Sequence, residues 1–367
     1  IIFDNNGIQI GDCILKITEN KWVFKSPEGE WRLIRDGTDT DLYPSPGCVN
    51  SIVELLEKSP LAPLIRIRPF KNNEGFLTDH LLRIDSKGKR LIWTRRMTWN
   101  KEGKYVLRSC FAHLNILNIN NTEKREYTST GSILITEPGK VIYNNGEMVE
   151  GYPEGRVDLD VYSLWIEKAW QRAPLGIKWN DDDILLSFYP DEVKSLGVTG
   201  GTSFRHTVHL CMGKQAVLTA GHEVEAILES EYICNTMALG LINPVHSSHV
   251  IENEHQISNF PGFEKSFKAT LDSGRLTKLA DNKNSEGPAA LLEDEPSQDK
   301  AYFGLQHYGD WPMPWGSYGS KTRRMYTSNE YDPAYAYYQG YAIYGDWRYM
   351  EIARQSAIHM TDVDFIY

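Results

Sequence analysis

The chain has 367 residues, enough for two or three domains, and a hydrophobic content of 41% supports a sizeable buried core. Its 49 acidic residues outnumber 39 basic ones, for a net charge of -10, and no basic block is present to meet phosphates, so nucleic acid is excluded as an expected partner. No apolar run reaches membrane length, no signal peptide opens the chain, and the five cysteines (13, 48, 110, 211 and 234) form no CxxC pair. The cysteines are expected as buried thiols, because an odd, scattered set does not make a full disulfide framework.

From Ile1 to about Leu218 the sequence runs in short, often alternating apolar segments bounded by Gly, Asn, Asp and Pro, such as "LIRIRPF", "RLIWTRRMTW", "GSILITE" and "HTVHLCM". Their number and spacing predict a large antiparallel β-sandwich rather than a parallel βαβ fold, which would need helical crossovers. "GRVDLDVYSLWIEKAWQRAP" reads as a strand followed by a helical turn that ends before Pro174. In "GGTSFRHTVHL" the paired glycines predict a turn; in the strand after it His206 and Val208 face one side while Thr207 and His209 face the other.

Residues 222–240 carry helical spacing, with Val224, Ile227, Leu228 and Tyr232 on one side, so a short helix is expected there. His246, His249 and His255 follow in a polar stretch; although the first two have a plausible ligand spacing, no metal site is assigned to them. Residues 272–300 are polar, acidic and contain Pro, the composition of a linker. The expected domains are therefore a β-sandwich over 1–271, a linker over 272–300 and a helical domain beginning at 301. In that last part Asp332 stands at an N-cap, Pro333 at the first helical position and Gly345 past the last periodic residue, which predicts a helix over 333–344. Asp346 caps a second helix with an apolar stripe of Met350, Ala353, Ala357 and Met360. One hairpin cannot bury both its faces, so more helices are expected to follow, and the chain reads as a fragment of a larger protein.

The stretch "SNEYDPAYAYYQGYAIYGDWRYMEIARQSAIHMTDVD" resembles the first helical hairpin of the toroid in exo-acting rhamnogalacturonan lyases of polysaccharide lyase family 26 and their YetA-like relatives. The likeness rests on Asn329, Glu330, Tyr331 and Asp332, on Gly345, Asp346 and Trp347, and on Asp362, Val363 and Asp364; "HYGDWP" and "GGTSFRHTVHLCM" agree in order and spacing. The resemblance implies a β-sandwich beside an (α/α) toroid, a secreted or periplasmic location, with a cytoplasmic one left open, and cleavage of a rhamnogalacturonan-type polysaccharide or oligosaccharide by β-elimination. No cofactor is expected, with calcium left open.

β-Elimination at a uronic acid needs a group to neutralise the carboxylate, a base for the C5 proton and an acid for the leaving oxygen. The densest set of such groups leads into the helix that starts at Pro333. Arg323, Arg324, Asn329 and Glu330 are the expected substrate-binding groups, with Trp311 and Trp315 as sugar platforms; Tyr326, Tyr331 and His307, with His206 upstream, are the expected proton-transfer groups. Each has a plainer reading: Asp332 as a cap, Glu330 as an ion-pair partner of the arginines, the tryptophans as loop anchors, and the histidines as structural. A glycoside hydrolase using Glu330 and Asp332 is the alternative, although an i, i+2 pair does not readily aim at one glycosidic bond. A non-catalytic carbohydrate-binding fragment is the other.

Overall fold

The fold is that of a computed structural model, which describes residues 2–4, 7–18, 21–40, 51–59, 62–69, 76–85, 89–99, 102–117, 130–143, 146–159, 162–180, 183–213, 229–237, 304–310, 312–314, 324–326, 332–345 and 347–364. The chain divides into two compact units, Ile1–Glu223 with Phe365–Tyr367, and Val224–Asp364.

The strands of the first unit, in chain order, are β1 (Ile2–Asp4), β2 (Gly7–Ile10), β3 (Cys13–Thr18), β4 (Lys21–Ser26), β5 (Gly29–Thr40), β6 (Ser51–Glu57), β7 (Leu64–Pro69), β8 (Phe76–Asp85), β9 (Arg90–Trp99) and β10 (Lys104–Leu117). They continue as β11 (Thr130–Glu137), β12 (Lys140–Tyr143), β13 (Met148–Glu150), β14 (Arg156–Leu159), β15 (Tyr162–Ile166), β16 (Leu175–Asn180), β17 (Asp183–Tyr189), β18 (Leu196–Thr199) and β19 (Ser203–Met212). Two antiparallel sheets result. The larger runs β1-β2-β3-β4-β5-β10-β17-β16-β11-β12-β13 with β18 on β10, and the smaller runs β14-β15-β19-β9-β8-β7-β6.

The expected large antiparallel sandwich is thus present, and alternation is what builds it. In β9 every second residue (Leu91, Trp93, Arg95, Met97, Trp99) is buried while its neighbours are half-buried. Trp93 meets Trp22 of β4 edge-on at 5.3 Å and Phe188 of β17 at 6.0 Å, and Trp31 of β5 meets Tyr162 of β15 at 5.8 Å, so the core lies between the sheets. "GRVDLDVYSLWIEKAWQRAP" makes two strands, β14 and β15, before its turn, paired antiparallel with Leu159 opposite Tyr162. The four described cysteines, Cys13, Cys110, Cys211 and Cys234, are buried thiols.

In the second unit α1 spans Ser230–Asn235, within the expected helical stretch. A two-stranded ribbon pairs β20 (Pro312–Pro314) with β21 (Arg324–Tyr326). Helix α2 (Pro333–Tyr344) has the expected ends: Asp332 accepts from the Tyr335 N–H, and Gly345 takes the left-handed conformation with φ 68°. Helix α3 (Trp347–His359) runs on into a π-helical turn, Met360–Asp364. Its buried face is Tyr349, Ile352, Ala353, Gln355, Ser356 and His359; of the expected stripe Ala353 is buried while Met350, Ala357 and Met360 are half-buried, because Tyr349 packs on Tyr337 of α2 at 6.3 Å and sets the rotation. Of the expected toroid, the described residues contain this one hairpin. No helix among them is long and apolar enough to cross a membrane.

Candidate functional site

Two polar constellations occupy the seven-stranded sheet, one on each face. Between the sheets, His80, Arg95 and His206 stand side by side across β8, β9 and β19, since Arg95 pairs in register with both histidines. All three are buried. Asp36 reaches them from β5 through a register break. Leu33 opposes Leu114 of β10 and Arg35 opposes His113, so Ile34 is the extra residue, and past it Asp36 opposes the buried Ala112 and turns inward. The Arg95 guanidinium then donates to Asp36 Oδ1 from Nε at 3.0 Å and from Nη2 at 2.7 Å. His80 Nδ1 accepts the Trp93 indole N–H at 2.9 Å, which leaves its proton on Nε2, 3.5 Å from Asp36 Oδ2. Burial holds the His80 imidazole down to about 4 and, joined by the charges of Arg172 and Arg95, keeps that of His206 well below its ordinary range. The cluster is a neutral-histidine, ion-paired core.

The outer face of the same sheet carries the groups that solvent and a ligand can meet. Trp165 of β15 lies opposite His209 of β19, their rings 4.5 Å apart. Glu167, one residue past the end of β15, accepts from or donates to His209 Nε2 at 2.7 Å, and its backbone N–H is fixed by the Thr207 carbonyl. His209 is nearly enclosed, its side chain 5% exposed, whereas that of Glu167 is 28% exposed. Next to this pair Thr94 and Thr207 share a hydroxyl hydrogen bond at 3.0 Å. A further row brings Arg205 opposite Arg96 and Arg96 opposite Asp79, and Asp79 is tied to Arg66 at 2.8 Å. Arg172 donates to the Arg205 carbonyl. An aromatic plane, a carboxylate–imidazole pair, two hydroxyls and guanidinium groups therefore share one half-buried surface.

No family model and no curated protein matches this chain. Among solved structures it is similar to a galactose mutarotase related enzyme of Lactobacillus acidophilus, at 10% identity and a TM-score of 0.34 over 58% of this chain and 98% of that one. It is similar also to the Slr1438 protein of Synechocystis, at 9% identity and a TM-score of 0.36 over 55% and 92%. A third likeness is to an alpha-N-acetylgalactosaminidase of Bifidobacterium bifidum in complex with GalNAc, at 8% identity and a TM-score of 0.34 over 73% of this chain and 50% of that one. At these scores the likenesses assign no family. The rhamnogalacturonan lyase resemblance is corrected: no family model, polysaccharide lyase or other, matches the chain. β-Elimination of pectin-type glycans, and the lyase activity with it, are withdrawn.

The residues read from sequence for that chemistry are scattered. His206 points into the core, its ring 4.9 Å from that of Phe188 and its buried Nε2 without a hydrogen-bond partner among the described residues. Strand alternation put His206 and His209 on opposite faces, as the structure does. The backbone of Arg324 and Tyr326 lies in β21. Tyr331, Arg323, Asn329, Glu330, Trp311 and Trp315 lie outside the described residues, as do His246, His249, His255, Asp346 and the 272–300 linker. His307 belongs to a group of its own in the second unit, with Asp310 and His359: burial, then the charge of His359, lowers its imidazole's proton affinity, against the pull of Asp310. Sequence reading passed over Trp165 and Glu167, whose signal was the alternation of Tyr162, Leu164 and Ile166 with Trp165 between them.

Proposed function

We propose that this chain binds a sugar on the outer face of the seven-stranded sheet and acts on its hemiacetal, with Trp165 as the platform and Glu167 as the proton-transfer group. The observation that supports this reading is the Glu167–His209 contact at 2.7 Å beside the Trp165 ring. A pyranose has apolar C–H faces that suit a flat indole, and hydroxyl edges that suit Thr94, Thr207 and the guanidinium groups. The carboxylate–imidazole pair shares one mobile proton. It can take a proton from the anomeric hydroxyl as the bond from the anomeric carbon to the ring oxygen breaks, and return one to that oxygen. Reclosure on the other face of the aldehyde yields the second anomer, with no net change in atoms or charge.

Hydrolysis would need a second carboxyl group flanking the bond. On this face Asp158 is held by Arg156 at 3.0 Å and Ser163 at 2.7 Å, and Asp79 is committed to Arg66 at 2.8 Å. Asp332, cast as a hydrolase carboxylate in the alternative reading, is occupied as the cap of α2. Polarimetry of freshly dissolved α-D-galactose and α-D-glucose is the test. Faster approach to anomeric equilibrium that disappears in Glu167→Gln, with sugar binding retained, supports the reading. Binding without acceleration reduces the chain to a carbohydrate-binding domain, and no binding of either sugar rejects it.

A further inference from the structure

In the second unit, three side chains meet where nothing in the sugar reading requires them. His359 at the end of α3 is buried, and its Nε2 lies 3.3 Å from Asp364 Oδ1 and 3.7 Å from Asp310 Oδ2, with Asp310 itself buried. One ligand atom from each of the three fits within a span of 4.8 Å. Asp364 Oδ2 is buried and has no hydrogen-bond partner among the described residues, so a deeply placed carboxylate oxygen is left with its lone pairs unspent.

The backbone is arranged for this meeting. Residues five apart on an α-helix point about 140° away from each other at 3.6 residues per turn. The π-helical turn over Met360–Asp364 widens the spiral and brings Asp364 back over His359. From the other side Gly309, at φ 100°, sits so close to α3 that a Cβ would stand 2.3 Å from the Gln355 carbonyl oxygen, and this contact delivers Asp310 to His359.

We infer that Asp310, His359 and Asp364 form a binding site for a first-row divalent cation of the zinc class, which staples the 304–310 segment to α3. One imidazole nitrogen with two carboxylate oxygens suits zinc and its neighbours, whereas calcium and magnesium favour oxygen-only sets. Bonds of about 2.0–2.1 Å in a tetrahedral site space the ligand atoms by about 3.3 Å. The observed 3.3 and 3.7 Å separations need only a few tenths of an ångström of closure. The fourth position falls to water.

The experiment strips the full chain with EDTA, then adds Zn(II) while following thermal unfolding, and Co(II) while following the visible spectrum. The site predicts about one bound metal per chain, a melting temperature raised by about 4 °C or more at saturating Zn(II), and tetrahedral Co(II) d–d bands without a thiolate charge-transfer band. Asp364→Asn and His359→Gln should each remove the bands and the shift. Should either variant fail to fold, the wild-type Co(II) spectrum decides alone. No metal uptake by the stripped wild-type chain, thiolate bands pointing to the cysteines, or uptake unchanged in a folded variant would overturn the inference.

Discussion

At the scale of single residues, the core is decided by one ion pair. Arg95 is 1% exposed and Asp36 15%, so each depends on the other for compensation. Removing one partner leaves a buried charge, and Asp36→Ala or Arg95→Met alone should cost about 3–5 kcal/mol, while replacing both by apolar residues of similar volume should cost far less. Urea denaturation of the two single variants and the double variant measures this; a double variant as unstable as the sum of the singles would contradict it. His80 makes a second prediction. Its folded value of about 4 lies below its ordinary 6.5, so the unfolded chain binds the extra proton between those values. The contribution is fully present above pH 6.5 and is lost as pH falls towards 4, and for a fully enclosed group it reaches about 3 kcal/mol. His206 and His307, lowered in the same direction, steepen the trend. Urea midpoints between pH 4 and 7 should therefore rise with pH, and His80→Gln should flatten the profile; a slope of opposite sign would refute the assignment.

At the scale of elements, the strands were legible because burial on one face leaves a period-2 imprint, and β9 wrote it plainly in "RLIWTRRMTW". Helix α2 was legible for a different reason: its start and stop are local chemistry, a cap and a left-handed glycine. Two things were not. The inward turn of Asp36 depends on an extra residue at Ile34, and a bulge is fixed by the partner strand rather than by the sequence of β5. The face of α3 depends on what Tyr349 packs against, which the apolar pattern of one helix does not contain. Likewise the His359–Asp364 spacing is meaningless on an α-helix and gains sense only with the π-helical turn. Gly309→Ala tests the packing behind that turn. The added methyl meets the Gln355 carbonyl and the His359 Cβ, and the backbone is in a region that L residues avoid. The substitution should destabilise the second unit by about 2 kcal/mol or more, visible as faster amide hydrogen exchange in α3 than in β9; unchanged exchange would mean that the segment yields freely.

At the scale of the whole molecule, the seven-stranded sheet carries the proposed sugar-binding groups on its outer face and the ion-paired core on its inner one. The inner row of His80, Arg95 and His206 and the outer pair of Trp165 and His209 meet on β19, where alternation sends His206 inward and His209 outward. The candidate groups near residues 307–332 are clustered in sequence and could be read from it, whereas the proposed outer-face groups gather from β9, β15 and β19 only after folding. The central claim, that a sugar lies on this face, is met most directly by saturation-transfer NMR of galactose and glucose with the wild-type chain and with Trp165→Ala. The account predicts magnetisation transfer to the sugar protons with the wild type and a weakening of affinity of about tenfold, near 1.4 kcal/mol, in the variant. Equal transfer with both proteins, or none with the wild type, would contradict it.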